Sequence, residues 1–90
     1  NNSANWGGGV DAYSTSGSLS ITNNTFENNS AKSGGGVRAD SYSGSLSITN
    51  NTFWNNTADE YGGGIFVYLD GGTANIYNNI IYNNTASKGG

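Results

Sequence analysis

Asn28–Trp54 reads NNSAKSGGGVRADSYSGSLSITNNTFW, and the residues before it, Asn1–Glu27, read NNSANWGGGVDAYSTSGSLSITNNTFE. Asn55–Tyr82, NNTADEYGGGIFVYLDGGTANIYNNIIY, is a looser third copy, and NNTASKGG opens a fourth at Asn83. Successive copies start 27, 27 and 28 residues apart. The extra residue of the third copy falls between Ala58 and Gly62, just ahead of the glycines, where a turn can absorb it. Self-similarity at a fixed period of roughly 20–50 residues is the mark of a stacked repeat architecture.

Each copy holds three short runs in which apolar residues alternate with polar ones. The first is Val10–Ala12, with Val37–Ala39 and Ile65–Val67 as counterparts. The second is Leu19–Ile21, matched by Leu46–Ile48 and Ala74–Ile76, and the third centres on Phe26, Phe53 and Ile81. A period of two is the strand period, and Gly triplets would break a helix. Glycines precede the first and second runs and an Asn pair precedes the third. Gly and Asn tolerate positive φ, so the corners fall where they cost least. Three strands and three corners make one triangular coil whose strands pair in parallel with their equivalents about 4.8 Å away. The expectation is an all-β chain, a right-handed parallel β-helix (solenoid) of about 27 residues and three short strands per coil. Residues 1–90 then form a single segment: coils 1–27, 28–54 and 55–82, with a partial coil 83–90. Neither end resembles a cap, so the segment reads as an excerpt of a longer solenoid, stable as a nearest-neighbour sum.

The two best-matched copies differ at Asn5/Lys32, Trp6/Ser33, Asp11/Arg38, Tyr13/Asp40, Thr15/Tyr42 and Glu27/Trp54. Alternation counted from Val10, Leu19 and Phe26 puts the strand members of this set on the outside, and the rest lie in turns. Exchanging Asp for Arg or Glu for Trp is tolerable only where the side chain meets solvent or a partner. Inside and outside are assigned twice, with one result. The expected core per coil is Val10, Ala12, Leu19, Ile21 and Phe26, with Ala4 or Ala31 filling a corner.

Asn, Gly, Ser and Thr supply 51 of the 90 residues, a composition that would suggest disorder were it not for the repeat. Three basic against six acidic residues leave a mild negative charge, which argues against nucleic acid. No stretch is apolar enough to insert in a membrane as a helix. Without Cys, His or Met there is neither a disulfide nor a soft metal site, and no cofactor is expected.

Phe26-Glu-Asn-Asn29 followed by Gly34-Gly-Gly-Val37, and Phe53-Trp-Asn-Asn56 followed by Gly62-Gly-Gly-Ile65, resemble the paired FxxN and GGxx motifs of the chlamydial polymorphic outer-membrane proteins. More broadly the chain is similar to the right-handed β-helix passengers of bacterial and archaeal surface proteins. The third coil departs from that pattern, with Ile81 for Phe. The resemblance covers the whole chain and implies surface exposure, with adhesion or a structural coat as the role.

Carbohydrate lyases and hydrolases share such folds, and their sites need paired carboxylates or Asp clusters holding Ca²⁺. The acids here are Asp11, Glu27, Asp40, Asp59, Glu60 and Asp70, none in a column with another, and each reads as a solvated surface acid. The Gly triplets precede a strand, not a helix, which makes them corners and not phosphate cradles. Ser18, Ser20 and Thr22 with Ser45, Ser47 and Thr49 form an outward hydroxyl array, but Tyr77 interrupts it and speaks against ice binding. No catalytic residue and no metal site is assigned.

The outward rings offer a contact surface: Trp6, Tyr13, Tyr42, Trp54, Phe66, Tyr68, Tyr77 and Tyr82, with Tyr61 beside them. Rings facing solvent suit stacking on sugars or contact with protein. Asn1, Asn23, Asn28, Asn50, Asn55 and Asn83 head Asn-Asn-Ser/Thr triplets and are formal N-glycosylation acceptors, although turn chemistry accounts for the same triplets. Asn24, Asn51 and Asn79 fall in one column and Asn29, Asn56 and Asn84 in another, placed to form structural ladders. The function expected is a non-enzymatic extracellular or cell-surface solenoid: an adhesin stalk, coat or filament subunit. Its partners would be itself, by coil stacking, or a cell-surface protein or glycan. The alternative is the scaffold of a polysaccharide-processing, pectate-lyase-like enzyme whose active coils lie outside this segment.

Overall fold

The computed structural model describes residues 2–88. Its first coil contains β1 (Ser3–Trp6), β2 (Val10–Ser14), β3 (Ser18–Thr22) and β4 (Thr25–Glu27). The second contains β5 (Ser30–Ser33), β6 (Val37–Ser41), β7 (Ser45–Thr49) and β8 (Thr52–Trp54). The third contains β9 (Thr57–Tyr61), β10 (Ile65–Leu69), β11 (Thr73–Tyr77) and β12 (Ile80–Tyr82). Each strand pairs in parallel with its equivalent one coil away, giving the ladders β1-β5-β9, β2-β6-β10, β3-β7-β11 and β4-β8-β12. Thr85 and Lys88 continue the first ladder as isolated bridges to Thr57 and Tyr61. A parallel crossover of this kind is right-handed in nearly all proteins.

The three strands read from the repeat are all present, and the stretch between the Asn corner and the glycines adds a fourth short ladder, β1-β5-β9. The apolar side chains that this ladder buries are Ala31 and Ala58, with the small polar Ser33 beside them, and Ala4 in the first coil is exposed. So weak an apolar signal does not announce a strand, yet its backbone groups must still be paired. The additional residue of the third coil is taken up here, as a shift in register between Ala31 and Ser33 against β9. Such a bulge bends the strand without disturbing the sides that follow.

Side-chain columns follow from the register. Val10, Val37 and Ile65 align, as do Leu19, Leu46 and Ala74, Ile21, Ile48 and Ile76, and Phe26, Phe53 and Ile81. In the middle coil Val37, Ala39, Leu46, Ile48 and Phe53 are fully buried. Their equivalents in the flanking coils are covered on one side only, which leaves Ile76 and Ile81 exposed. Phe26 and Phe53 stack with centroids 5.0 Å apart and planes 14° from parallel.

The pairing of FxxN with a Gly triplet has a steric cause. A Cβ on Gly36 would lie 3.0 Å from the Phe53 ring, 3.3 Å from the Asn56 amide and 2.6 Å from the carbonyl of Gly64. The third glycine of the triplet therefore makes room for the Phe and Asn that face it across the coil. The first glycine acts on the backbone instead, because Gly34, at φ +70, turns the chain through the left-handed region.

Candidate functional site

At the other corners the first Asn of each pair takes positive φ and the second turns inward. Asn23, Asn28, Asn50, Asn55, Asn78 and Asn83 all lie between φ 55° and 60°. Asn is the non-glycine residue best suited to that region. Its neighbour then bridges two coils. Asn56 Nδ2 donates to the Phe26 carbonyl at 2.9 Å, while its Oδ1 accepts from the Asn29 N–H at 3.0 Å. Asn84 repeats this one coil on, with Phe53 and Asn56 as partners, each at 2.9 Å. In the second column Asn51 joins the Ile21 carbonyl and the Asn24 N–H, and Asn79 joins the Ile48 carbonyl and the Asn51 N–H. Side-chain amides also contact one another, Asn51 with Asn79 at 3.2 Å and Asn56 with Asn84 at 2.9 Å. Both columns supply the corner backbone with the partners that a strand ladder would otherwise provide.

The outer face of β2-β6-β10 is organised differently. Three columns cross it or border it: Trp6–Ser33–Tyr61, Asp11–Arg38–Phe66 and Tyr13–Asp40–Tyr68. In each, the third coil carries a ring, whereas the second carries a small or charged residue. The middle coil is thus a notch between ring-bearing neighbours. It forms a concavity of about 350 Å³ lined by Trp6, Arg38, Asp40, Tyr42, Tyr61, Phe66 and Tyr68, with Ser33 and Glu60 completing it.

Arg38 is its centre. Its guanidinium lies 4.6 Å from the ring centroid of Trp6 and reaches Asp40 at 2.8 Å and Asp11 at 3.3 Å. The ring contact is a cation–π interaction, favoured most over an indole. Tyr42 packs its ring between Tyr13 and Tyr68, with centroids 5.2 and 5.9 Å away. Tyr61 and Phe66 form a further pair at 6.0 Å. On the rim Lys32 faces Glu60 at 3.9 Å, and Lys88 lies 5.2 Å from the Tyr61 centroid.

The expectation that every acid is a solvated surface group fails at Asp40. Alternation does direct it outward, but it is only 2% exposed. Tyr13 and Tyr68 flank it in its own column, and the Tyr42 ring sits between them. Loss of solvent raises its pKa above the ordinary carboxylate value, opposed by the nearby Arg38 charge and assisted by Asp11. Partial desolvation also raises the Tyr42 hydroxyl, followed by the neighbouring Tyr13 and Asp40, so it remains a donor at neutral pH. Among the described residues, three buried side-chain polar atoms have no hydrogen-bond partner: Arg38 Nε, Asp40 Oδ1 and Ser41 Oγ. Two of the three belong to the notch.

The remaining candidates are dispersed. Trp54 and Tyr82 pair at 6.1 Å beneath Glu27 on the outer face of β4-β8-β12, and Tyr77 stands alone at 59% exposure on β11. Of the eight rings expected to form a contact surface, five line or border the notch: Trp6, Tyr13, Tyr42, Phe66 and Tyr68. The sequon residues Asn23, Asn28, Asn50, Asn55 and Asn83 are exposed at left-handed corners, and Asn55 Nδ2 donates to Asn28 Oδ1 at 2.7 Å. Asn1 lies outside the described residues. Among the described residues no three acids gather where they could hold a metal ion. Reading the sequence for rings alone missed Arg38 and Asp40, the polar centre that organises them. The signal was present: of the six positions where the first two coils differ, four (Trp6/Ser33, Asp11/Arg38, Tyr13/Asp40 and Thr15/Tyr42) place a residue in the notch lining.

Parallel ladders closed by Asn and Gly corners define a β-helix repeat protein. The chain matches the family model described as a right handed beta helix region over residues 1–89, and it belongs to that family. No curated protein and no solved structure matches it.

Proposed function

We propose that the chain is part of a non-enzymatic, extracellular or cell-surface solenoid with a structural and adhesive role, as an adhesin stalk, a coat or a filament subunit. The observation that carries this reading is the ring-lined notch on the outer face of a rod whose interior columns are regular. A rod of this kind gives reach and rigidity, and clustered outward rings give it something to hold with. The resemblance to surface-protein repeats points the same way. Its partners on this reading are further coils of its own kind and a cell-surface protein or glycan.

One observation favours the second reading, a polysaccharide-processing scaffold. Asp40 is a buried carboxyl with a raised pKa in a cleft, a common property of catalytic acids. A glycosidase-type site needs a second carboxyl across the bond, whereas Asp11 and Asp40 both engage the same arginine and Glu60, on the rim, faces Lys32. The test combines cryo-electron microscopy of the full-length protein with an assay for reducing or unsaturated ends on plant and bacterial polysaccharides. Continuous rods with an axial repeat near 4.8 Å and no product release are expected. Turnover that Asp40→Asn abolishes would overturn the adhesive reading.

A further inference from the structure

We infer that the notch around Arg38 and Asp40 is a subsite for one neutral pyranose ring of a glycan. This rests on the adhesive reading and gives it a ligand class.

The repeat itself locates the site. Coils one and two are identical over most of their length, so the same backbone and the same core are built twice. Four of the six substitutions that distinguish them converge on one concavity. Structural divergence without purpose would scatter over all four outer faces. Here β3 and β7 have the same sequence, and β4 and β8 differ only at Glu27/Trp54.

The chemistry of the lining selects the ligand. At about 350 Å³ the notch is at the small end of ligand sites, the scale of one or two sugar rings. Its walls are ring faces and edges, with Trp6, Tyr61 and Tyr68 between 41% and 47% exposed. Such walls suit a ligand with an apolar C–H face. Its floor offers an orphan donor, Arg38 Nε, and an orphan acceptor, Asp40 Oδ1. A hydroxyl group donates and accepts at once, so adjacent sugar hydroxyls can satisfy both atoms. Both are shielded from solvent in the free chain. A sugar reaches them only as a wall ring turns aside, and Tyr68, next to Asp40 in its column and 47% exposed, is placed to do so.

Charge excludes the nearest competitors. Arg38 is already shared between Asp11 and Asp40, and Glu60 on the rim faces Lys32, so a uronate or sialate carboxylate finds no unpaired cation in the lining. A quaternary ammonium would suit an aromatic cage, but the Trp6 face is occupied by the Arg38 guanidinium and a second cation would be repelled. A neutral polyol meets neither obstacle.

The test is isothermal titration of the full-length protein with cellohexaose, mannohexaose, xylohexaose and β-1,4-galactohexaose. Trigalacturonate and choline serve as the anionic and cationic probes. Binding of at least one neutral hexasaccharide is expected, weakened at least tenfold by Tyr68→Ala and by Asp40→Asn. Ser20→Ala, on a different face, should bind as the parent does. Circular dichroism establishes that each variant keeps its strand content, and Tyr68→Ala removes a half-exposed ring with little risk to the fold. Failure of all four neutral probes, affinity unchanged in both notch variants, or tighter binding of choline or trigalacturonate would each overturn the inference. Rods that bind no sugar would leave the structural reading standing. Sugar that is bound and also cleaved would leave the subsite standing and remove the adhesive reading.

Discussion

The Asn corners and the aromatic notch both bury polar side chains, and they do so to opposite ends. At the corner every copy carries the same residue, and each amide joins a carbonyl and an N–H of the adjoining coil. In the notch no column is uniform, and a donor and an acceptor are left without partners. Repetition allows the corner to be satisfied from within, because a group at one level always finds its counterpart at the next. Broken repetition removes the counterpart and leaves chemistry for something else. A solenoid thus has a simple way to separate structure from recognition: equal columns hold the rod, and unequal columns make the site.

The sharpest way to break that comparison is at Asn56, which is fully buried. Asn56→Ala leaves the Phe26 carbonyl and the Asn29 N–H without these partners. An orphaned buried group costs about 1–3 kcal/mol, so a loss of about 4 kcal/mol in coil stability is expected. Native-state hydrogen exchange at the Asn29 amide is the measurement, and protection within about tenfold of the parent would show that the ladder is dispensable. Next in size is Gly36→Ala. The added methyl is pressed against the Gly64 carbonyl and the Phe53 ring and should cost about 1–3 kcal/mol, seen in chemical denaturation. A neutral result would remove the steric explanation for the paired motif.

How far the sequence alone reaches follows the same division. The rod was legible because its columns repeat: Val10 with Val37 and Phe26 with Phe53 state period, register and inward face together. The fourth ladder was not, since Ala31 alternates with Ser33 and Lys32 and gives too little apolar contrast to separate a strand from a corner. At Asp40 alternation returned the correct face and the wrong environment. Facing outward normally means facing water, but here the rings of Tyr13 and Tyr68 come from coils above and below, and Tyr42 from round the corner. Burial of that kind is a property of the stack, and no single strand reveals it. The differing positions were visible from the start, and their convergence became apparent only once 6, 33, 38, 40 and 42 were brought to one place.

Smaller effects sharpen the picture of the notch. The folded chain holds the Asp40 proton more tightly than an unfolded chain does, because its pKa is raised above 3.8. Between the ordinary and the raised value the folded state carries more proton, so the contribution of this group to stability grows as pH falls through that window. Above it the buried charge is a burden, only partly relieved by Arg38. Asp40→Asn removes the titration. The stability difference between parent and variant, followed by denaturation at a series of pH values, should therefore shift toward the parent as pH drops from 7 toward 4. A shift in the opposite direction would mean that the Arg38 ion pair outweighs desolvation.

The smallest change expected in stability is the most telling for function. Tyr68 is 47% exposed and its ring touches Tyr42 by an edge. Losing it should alter the free energy of unfolding by about 0.5 kcal/mol or less, as surface substitutions do. If the ring served only to cover Asp40, its removal would flood the carboxyl with water, return its pKa toward the ordinary value and leave affinity intact. The same ring serves as the movable wall of a sugar site, so a small stability change beside a large loss of affinity distinguishes recognition from cover. Chemical denaturation of Tyr68→Ala measures the first quantity, the titrations above measure the second, and carbon-13 NMR of the Asp40 carboxyl reads its pKa. A large stability loss with affinity intact would place Tyr68 among the residues that hold the rod, and the division between equal and unequal columns would fail at that position.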